Sequence, residues 1–373
     1  MGRRIEWCRS SDELAGWIER IGSGPLALDT EADSLHHYPE KVCLIQLSFG
    51  EIDLLVDPLA GVDSTLLARP LLDPMLPKLL HGADYDLRIL NRDYGLEFRG
   101  LFDTMIAARL VGNRKFGLAA LLDKHFDVVL NKSLQRADWS RRPLSEAMAT
   151  YAATDTRHLA ALVSVLEERL AELGRTAWAA EEFEVLEKVR WTGKSDDDAF
   201  RRIKGGGSLD RRGLAVLREL VGLRERLARE TDRPPFKIIN NDRLLAIANE
   251  RPTDSRQLGA LLSNKGGRSV RWSGEVLTCV ARALAMPTTE LPERRRRSMG
   301  RLSGPEQTRL SLLLQQRDAV AQDLDLEPSV LAPRGVLEGA LVRAGRGEDP
   351  GQTPGLREWQ REQLQVPLAA LTV

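Results

Sequence analysis

Apolar residues occur in short runs along the first part of the chain, and turn residues such as Gly50 and Pro58 separate them. Short apolar or β-branched runs with such boundaries are typical of strands. The runs begin at Leu26, Val42, Ile52 and Pro77. The last of them leads into a helical pattern near Asp86, which places strand and helix signals in the same region.

Beyond Asp86 the apolar positions recur every three or four residues, which predicts helices. Segments with this spacing are 86–95, 103–112 and 133–174. An order of several strands followed by helices, with further buried strands between them, is typical of an α/β domain with a mixed sheet. We therefore predict this fold class for the first 170 or so residues.

The rest of the chain is predicted to be helical. Residues 190–210 are rich in glycine and charge and contain the run 205–207 of three glycines, the clearest break in the chain. From Ser208 the helical spacing resumes, with Pro252 and Pro287 as stops. A second linker over 287–304 precedes a further helical block.

Composition narrows the class of protein. Apolar residues make up 42% of the 373 residues and charged residues 29%, as in soluble globular proteins. No run approaches the ~18 apolar residues of a membrane span, and no apolar segment of a secretory signal follows the first residues. The three cysteines lack metal-type spacing, so we expect neither a zinc site nor a disulfide framework. We expect a cytoplasmic location.

Charge is distributed unevenly although the net charge of the whole chain is zero. Residues 194–301 contain 24 Lys and Arg against 14 Asp and Glu, a net charge of +10, so the remainder carries −10. This asymmetry indicates a basic module that binds nucleic acid attached to an acidic one. A solvated, arginine-rich helical surface explains the same charges equally well.

Three groups of residues carry candidate chemistry. Asp29 and Glu31 end an apolar run and are two residues apart, so in a strand they share one face. Two carboxylates there would repel each other unless a cation such as Mg²⁺ or Mn²⁺ lay between them. The alternative is that the strand ends at Leu28 and the acids lie in an exposed turn.

The other two groups are helical. Asp86 follows a short strand at the start of a helix, where an N-cap role explains it as well as a metal-binding one, and Asp84 competes for either role. Tyr151 and Asp155 are four residues apart in a helical stretch and so share a face. The phenol would hold a water beside a metal-bound group. The alternative is a Tyr at the edge of the core and an Asp in solvent.

Taken together, "LDTE" at 28–31, "ADYDLRIL" at 83–90 and "YAATD" at 151–155 resemble, in order and spacing, the three motifs of the DEDDy superfamily of 3′→5′ exonucleases. The first 170 residues resemble the ribonuclease D family almost continuously, above all over 132–159. The helical block at 208–286 is similar to an HRDC domain, and the last block resembles the second HRDC-like module of that family.

The resemblance implies a fold, an activity and a set of residues. The fold is an α/β nuclease domain, with a ribonuclease H-like mixed sheet and flanking helices, followed by all-α HRDC-type domains. Two divalent metal ions, Mg²⁺ or Mn²⁺, would be held by four acids, with a tyrosine as the fifth catalytic residue. Carried over by position, these residues are Asp29, Glu31, Asp86 and Asp155 for the metals and Tyr151 beside them.

The implied domain organisation is an exonuclease domain at 1–190, a linker at 191–207, an HRDC domain at 208–288, a basic linker at 289–303 and a second HRDC-like domain at 304–373. The implied activity is 3′→5′ exoribonuclease, which releases nucleoside 5′-monophosphates from single-stranded RNA 3′ ends, among them tRNA precursors. We expect no membrane and no obligate protein partner. A DNA 3′→5′ exonuclease and an inactive nucleic-acid-binding scaffold are the alternatives.

Several further residues lie in the matching segments. For His81 and Asp103 we predict buried hydrogen-bonding roles rather than direct chemistry. Lys132, Trp139 and Arg142 would contact the substrate backbone, although a polar helix surface explains them equally. The arginines at 294–297 would add to the basic surface, or else form a solvated linker.

Overall fold

The structure is a computed structural model that describes residues 3–130, 132–193, 196–263, 272–294 and 302–371. Its contacts divide the chain into two compact units. The first unit comprises Met1–Ala32, Lys41–Trp191 and Arg301–Val373, and the second unit comprises Asp33–Glu40 and Thr192–Gly300. In the part of the chain that the structure describes, no helix is both long and apolar enough to cross a membrane.

A six-stranded mixed sheet forms the centre of the first unit. Its strands are β1 (Arg4–Cys8), β2 (Leu26–Ala32), β3 (Val42–Phe49), β4 (Ile52–Val56), β5 (Lys78–Leu80) and β6 (Leu101–Asp103), in the order β1-β4-β3-β2-β5-β6. The pairs β2·β3 and β3·β4 are antiparallel, and the other neighbours are parallel. The mixed sheet predicted from the sequence is confirmed, and β1 is an edge strand that the apolar pattern did not reveal.

Outside the sheet, the regular structure of the described residues is helical. The α-helices up to the first glycine-rich connector are α1 (Ser11–Ile18), α2 (Ala68–Leu72), α3 (Asp84–Tyr94), α4 (Thr104–Leu110), α5 (Leu118–Phe126), α6 (Glu146–Arg157), α7 (Leu159–Glu172) and α8 (Thr176–Leu186). The second unit contains α9 (Arg211–Thr231), α10 (Pro235–Ile238), α11 (Asn241–Glu250), α12 (Ser255–Ser263) and α13 (Ser273–Ala285). The chain ends with α14 (Gly304–Asp323), α15 (Pro328–Leu331), α16 (Arg334–Ala344), α17 (Glu358–Gln363) and α18 (Gln365–Ala369).

Alternation along the central strands separates two faces of the sheet. Leu28, Leu47 and Leu54 are register partners across β2, β3 and β4 and join the apolar core that includes α1 and α3. The residues next to them point to the other face, where α6 packs against the same three strands. This second face therefore carries Asp29 at the level of β2 and the buried side of α6 opposite it.

The predicted helix over 133–174 is divided in the structure. A 3₁₀ turn covers Lys132–Arg136, irregular chain continues to Ser145, and α6 and α7 follow with a break at His158. Pro143 lacks the backbone N–H that a continuous helix requires at this point. The new helix begins at Ser145, whose side chain accepts a hydrogen bond from Met148 N.

The C-terminal helices belong to the same compact unit as the sheet, whereas the sequence placed 304–373 in a domain of its own. Leu313 of α14 and Trp359 of α17 lie in one hydrophobic cluster with Leu162 of α7. The rings of Trp178 and Trp359 stack with their centroids 4.6 Å apart. The apolar face of the last helices is therefore buried against α7 and α8 rather than within a separate core.

The second unit is helical, as predicted from Ser208 onward. Its core joins α9 and α13 through side chains such as Leu217 and Val280. Phe200 and Ile203, which lie in the predicted linker 191–207, are buried in the same core. Glycine and charge dominate the composition of that stretch and conceal these two apolar positions three residues apart.

Candidate active site

Asp29 and Glu31, two of the sequence-predicted acids, lie on the face of the sheet that α6 covers. Strand β2 continues to Ala32, so Asp29 and Glu31 lie within it rather than in a turn. Each contributes one carboxylate oxygen, together with Asp155 of α6, to a group whose atoms lie within 4.8 Å of one another. Two acids from one strand and one from a facing helix thus converge, although 124 positions separate Glu31 from Asp155 in the sequence.

Helix α6 directs both of its predicted residues inward. Asp155 is 8% exposed and Tyr151 is 9% exposed. The phenol of Tyr151 is hydrogen-bonded to the Asp155 carboxylate one turn along the helix, and Gln135 is hydrogen-bonded to the phenol. The ring of Tyr151 packs near Trp139, with 6.1 Å between ring centroids.

Asp86 lies close to this group but outside the 4.8 Å set. It is buried in the first turn of α3, and its carboxylate accepts a hydrogen bond from the hydroxyl of Thr30. Its charge acts on both Asp29 and Glu31. Asp84, the competing acid, is exposed and forms an ion pair with Arg88 at 2.8 Å, which leaves Asp86 as the acid of α3 that faces the site.

The four carboxyl groups strongly disfavour a full set of negative charges. Burial raises the pKa of Glu31 to about 9, of Asp155 to about 7 and of Asp86 to about 6. Burial, followed by the charges of the other three acids, raises the pKa of Asp29 well above its usual range. Among the residues that the structure describes, no lysine or arginine forms an ion pair with any of the four.

This donor set fits a divalent cation. Hard cations such as Mg²⁺ and Mn²⁺ prefer carboxylate oxygens, and a positive charge among buried acids reverses the repulsion that raises their pKa values. Asp29, Glu31 and Asp155 supply oxygens close enough to share one ion. The charge of Asp86 acts on two acids of this group.

Asp103 positions the helix that carries Asp86. It is buried, caps α4 by accepting from Met105 N and Ile106 N, and also accepts from Ala83 N at 2.7 Å. The nearby His81 has its Nδ1 2.9 Å from the hydroxyl of Thr104. Burial lowers the pKa of His81, so the imidazole is neutral at pH 7. The buried hydrogen-bonding role predicted for Asp103 agrees with these contacts, whereas His81 makes a hydrogen bond but is only half-buried.

Two residues predicted to contact substrate make contacts within the protein. Trp139 is 1% exposed and packs under α6. Arg142 donates to both oxygens of Asp57 at 2.7 Å and to the carbonyl of Cys43. Burial removes the indole of Trp139 from any substrate surface, whereas Arg142 stays exposed with its guanidinium held by Asp57. The side chain of Lys132 and residues 295–297 lie outside the described residues.

Sequence patterns did not reveal Thr30 or Gln135 as members of the site. Thr30 lies between the two acids of β2, where strand alternation directs it away from them, yet its hydroxyl reaches Asp86. Gln135 lies in a 3₁₀ turn, 16 positions before Tyr151 in the sequence, and reaches it through tertiary packing. Neither residue type at such a position carries a distinctive signal.

A cavity of about 1240 Å³ opens onto the acids. Asp29, Tyr151 and Asp155 line it, as do Lys115 before α5 and Asp123 and Lys124 near the end of α5. A cavity lined by this group of acids and by two ammonium groups suits a polyanion whose terminal bond reaches the acids.

Comparison with known proteins agrees with this geometry. Residues 5–171 match a family described as 3′-5′ exonuclease, and residues 213–279 match the HRDC domain family. The crystal structure of Escherichia coli RNase D, described as an exoribonuclease involved in structured RNA processing, has a TM-score of 0.76 at 27% identity and covers 100% of this chain and 98% of that one. The catalytic core of RRP6 from Trypanosoma brucei has a TM-score of 0.64 at 28% identity, covering 76% and 80%.

The sheet with its clustered acids, followed by a helical HRDC region, defines a 3′→5′ exonuclease. Sequence similarity narrows this class to one family. The chain is 33% identical to ribonuclease D of Pseudomonas paraeruginosa over 367 residues, which are 96% of this chain and 95% of the relative. It is 32% identical to ribonuclease D of Escherichia coli over 287 residues, 76% of each. The chain belongs to the ribonuclease D family and is a 3′→5′ exoribonuclease, as the resemblance implied.

Proposed function

We propose that Asp29, Glu31, Asp86 and Asp155 hold two divalent cations, Mg²⁺ or Mn²⁺, and that Tyr151 is the fifth catalytic residue. The observation that carries this proposal is the convergence of two half-buried carboxylates of β2 and a buried one of α6 within 4.8 Å. Such cations, when bound, lower the pKa of a coordinated water toward ~7 and stabilise charge on a scissile phosphate. Asp29 and Asp155 line the cavity, so this chemistry would take place at its wall.

Tyr151 acts as a hydrogen-bond donor in this scheme and not as a base. Burial, together with the charges of Asp155 and Glu31, raises the pKa of its phenol above the ordinary value of 10. The phenol therefore keeps its proton at pH 7. From its position one turn before Asp155 it orients the attacking water against the terminal phosphodiester.

The substrate is the 3′ end of single-stranded RNA, tRNA precursors included, and the product is a nucleoside 5′-monophosphate. Lys115 and Lys124 line the cavity and contact the backbone phosphates of the strand. The helical second unit, with its excess of arginine and lysine, adds sequence-independent affinity. The protein works in the cytoplasm and requires no obligate protein partner.

The test compares 5′-labelled and 3′-labelled single-stranded RNA and DNA in Mg²⁺, in Mn²⁺ and in EDTA. We expect stepwise shortening of RNA from its 3′ end that requires the cation. Asp86→Asn should lower kcat by ~10²–10³-fold, since a ligand of the cations that stabilise charge on the phosphate is lost. Asp84→Asn is the matched control, because it makes the same change in the same turn of α3 at an exposed position.

Equal activity of the two variants would refute the assignment of Asp86. Faster shortening of DNA than of RNA would replace the proposed substrate, because recognition of the 2′-hydroxyl distinguishes the two strands. RNA binding without shortening under any cation would favour the alternative of an inactive scaffold.

A further inference from the structure

Gln46 of β3 is a polar side chain without a polar contact. It is 0% exposed, and neither its Nε2 nor its Oε1 forms a hydrogen bond to any residue that the structure describes. A side-chain amide offers two donors and an acceptor, and buried groups of this kind almost always have partners. The mechanism derived above assigns no role to this residue.

The register of the sheet places Gln46 beside a proposed metal-binding acid. Gln46 is the direct partner of Asp29 on β2 and of Leu55 on β4. Residues directly opposite each other in antiparallel strands point to the same face, with their Cβ atoms ~5 Å apart. The amide of Gln46 and the carboxylate of Asp29 are therefore neighbours under α6.

The other neighbours of Gln46 on this face offer it little. Leu44 and Leu55 are apolar and fully buried. The hydroxyl of Ser48 already donates to Asp53 at 2.7 Å and lies 2.7 Å from the hydroxyl of Thr156. Asp29 is the adjacent position on the sheet whose side chain can accept a hydrogen bond from the amide.

We propose that Gln46 is a positioning residue that orients the Asp29 carboxylate for cation binding. On cation binding the amide turns so that its Nε2 donates to one oxygen of the Asp29 carboxylate, which leaves the other oxygen for the cation. Groups that hold a metal ligand from behind fix the ligand's orientation and raise metal affinity. The inference rests on the proposed cation site and adds to it a residue that is not itself a ligand.

A packing role and a positioning role predict different results for Gln46→Met. Methionine has nearly the same length and volume but no donor, so it fills the same space. If the amide only fills space, its replacement leaves cation affinity unchanged, and the protein without cation becomes no less stable, because an unpaired buried amide is removed. If the amide holds Asp29, stability is kept and cation affinity falls.

The experiment measures Mn²⁺ binding by titration calorimetry in the full-length protein without RNA, together with the Tm of the metal-free protein. We expect the Kd for Mn²⁺ to rise about tenfold in Gln46→Met, with an equal or higher Tm. At subsaturating Mn²⁺, kcat on RNA should fall while KM for RNA stays the same. Leu55→Val is the packing control, since it alters the same layer of the face without removing a polar atom.

Mn²⁺ affinity in Gln46→Met within twofold of the unsubstituted protein would overturn the inference. So would an equal loss of affinity in Leu55→Val at the same change in Tm, because packing would then explain both. Asp29→Asn separates the inference from the proposed site beneath it. If that variant binds Mn²⁺ as well as the unsubstituted protein, the cation site itself is wrong.

Discussion

At the scale of single residues, the acids combine burial with mutual repulsion. The pKa of Glu31 is raised to about 9 and that of Asp155 to about 7, against ordinary values of 4.5 and 3.8. A group that keeps its proton longer in the folded state than in the unfolded state makes stability fall as pH rises between the two pKa values. The site therefore lowers the stability of the folded state unless protons or cations neutralise its negative charges.

We therefore predict that the metal-free protein is more stable at pH 5 than at pH 9. The free energy of unfolding should decline across the interval from about 4 to about 9, because the unfolded chain releases these protons first. Thermal unfolding in EDTA at several pH values measures this decline. Saturating Mg²⁺ or Mn²⁺ should oppose it, and a Tm that rises with pH in EDTA would contradict the prediction.

Tyr151→Phe removes one hydroxyl and keeps the ring that packs near Trp139. We expect kcat to fall by ~10²-fold because the attacking water loses its orientation, with KM for RNA nearly unchanged. Steady-state kinetics and a melting curve of the same preparation provide the measurement. A full loss of RNA binding would show instead that the phenol binds substrate.

At the scale of elements, the end of α6 is tied to the sheet through one buried carboxylate. Asp53 of β4 is 1% exposed and accepts from Arg157 and Arg3 at 2.7 and 2.9 Å. Ser48 connects the same carboxylate to Thr156. Since Thr156 and Arg157 directly follow Asp155, this network determines where α6 places its acid.

Asp53→Asn should lower both stability and activity. Loss of the charge weakens bonds to two guanidinium groups, which we expect to cost ~2 kcal/mol in the free energy of unfolding. The activity should fall further than RNA binding, because Asp155 shifts. Urea denaturation and kcat are the measurements, and Ser48→Ala provides the milder comparison at ~1 kcal/mol. Unchanged kcat in a destabilised variant would separate the network from the site.

At the scale of the whole molecule, the C-terminal helices complete the core of the unit that carries the active site. Leu312 and Leu313 are neighbours in α14, yet Leu312 is 56% exposed and Leu313 is 1% exposed. The exposed member faces away from the shared cluster, and the buried one is part of it. This pair tests whether α14 stabilises the nuclease or only follows it in the chain.

We predict that Leu313→Ala destabilises the unit by ~2–5 kcal/mol, as for other buried leucines. Leu312→Ala should change stability by no more than ~0.5 kcal/mol. The measurement is residual exonuclease activity after heating to a series of temperatures. This activity reports on the first unit, because the active site lies there. If both variants lose activity at the same temperature, the C-terminal helices do not support the nuclease.

The sequence determined more of the chemistry than of the packing. Alternation places Asp29 and Glu31 on one face of a strand, and a four-residue interval places Tyr151 and Asp155 on one face of a helix, so both pairs follow from local geometry. The order of the three motifs indicated the family and, with it, the mixed α/β fold. Local periodicity gave the helices of the second unit as well.

Only the tertiary structure decided which distant groups meet. The bond from Thr30 to Asp86, the unpaired amide of Gln46 beside Asp29 and the burial of Trp139 all depend on sheet register and on how α6 packs, which no local pattern contains. The C-terminal helices joined the nuclease core for the same reason. An amphipathic helix specifies that one face is buried, and the three-dimensional arrangement alone selects the surface that covers it.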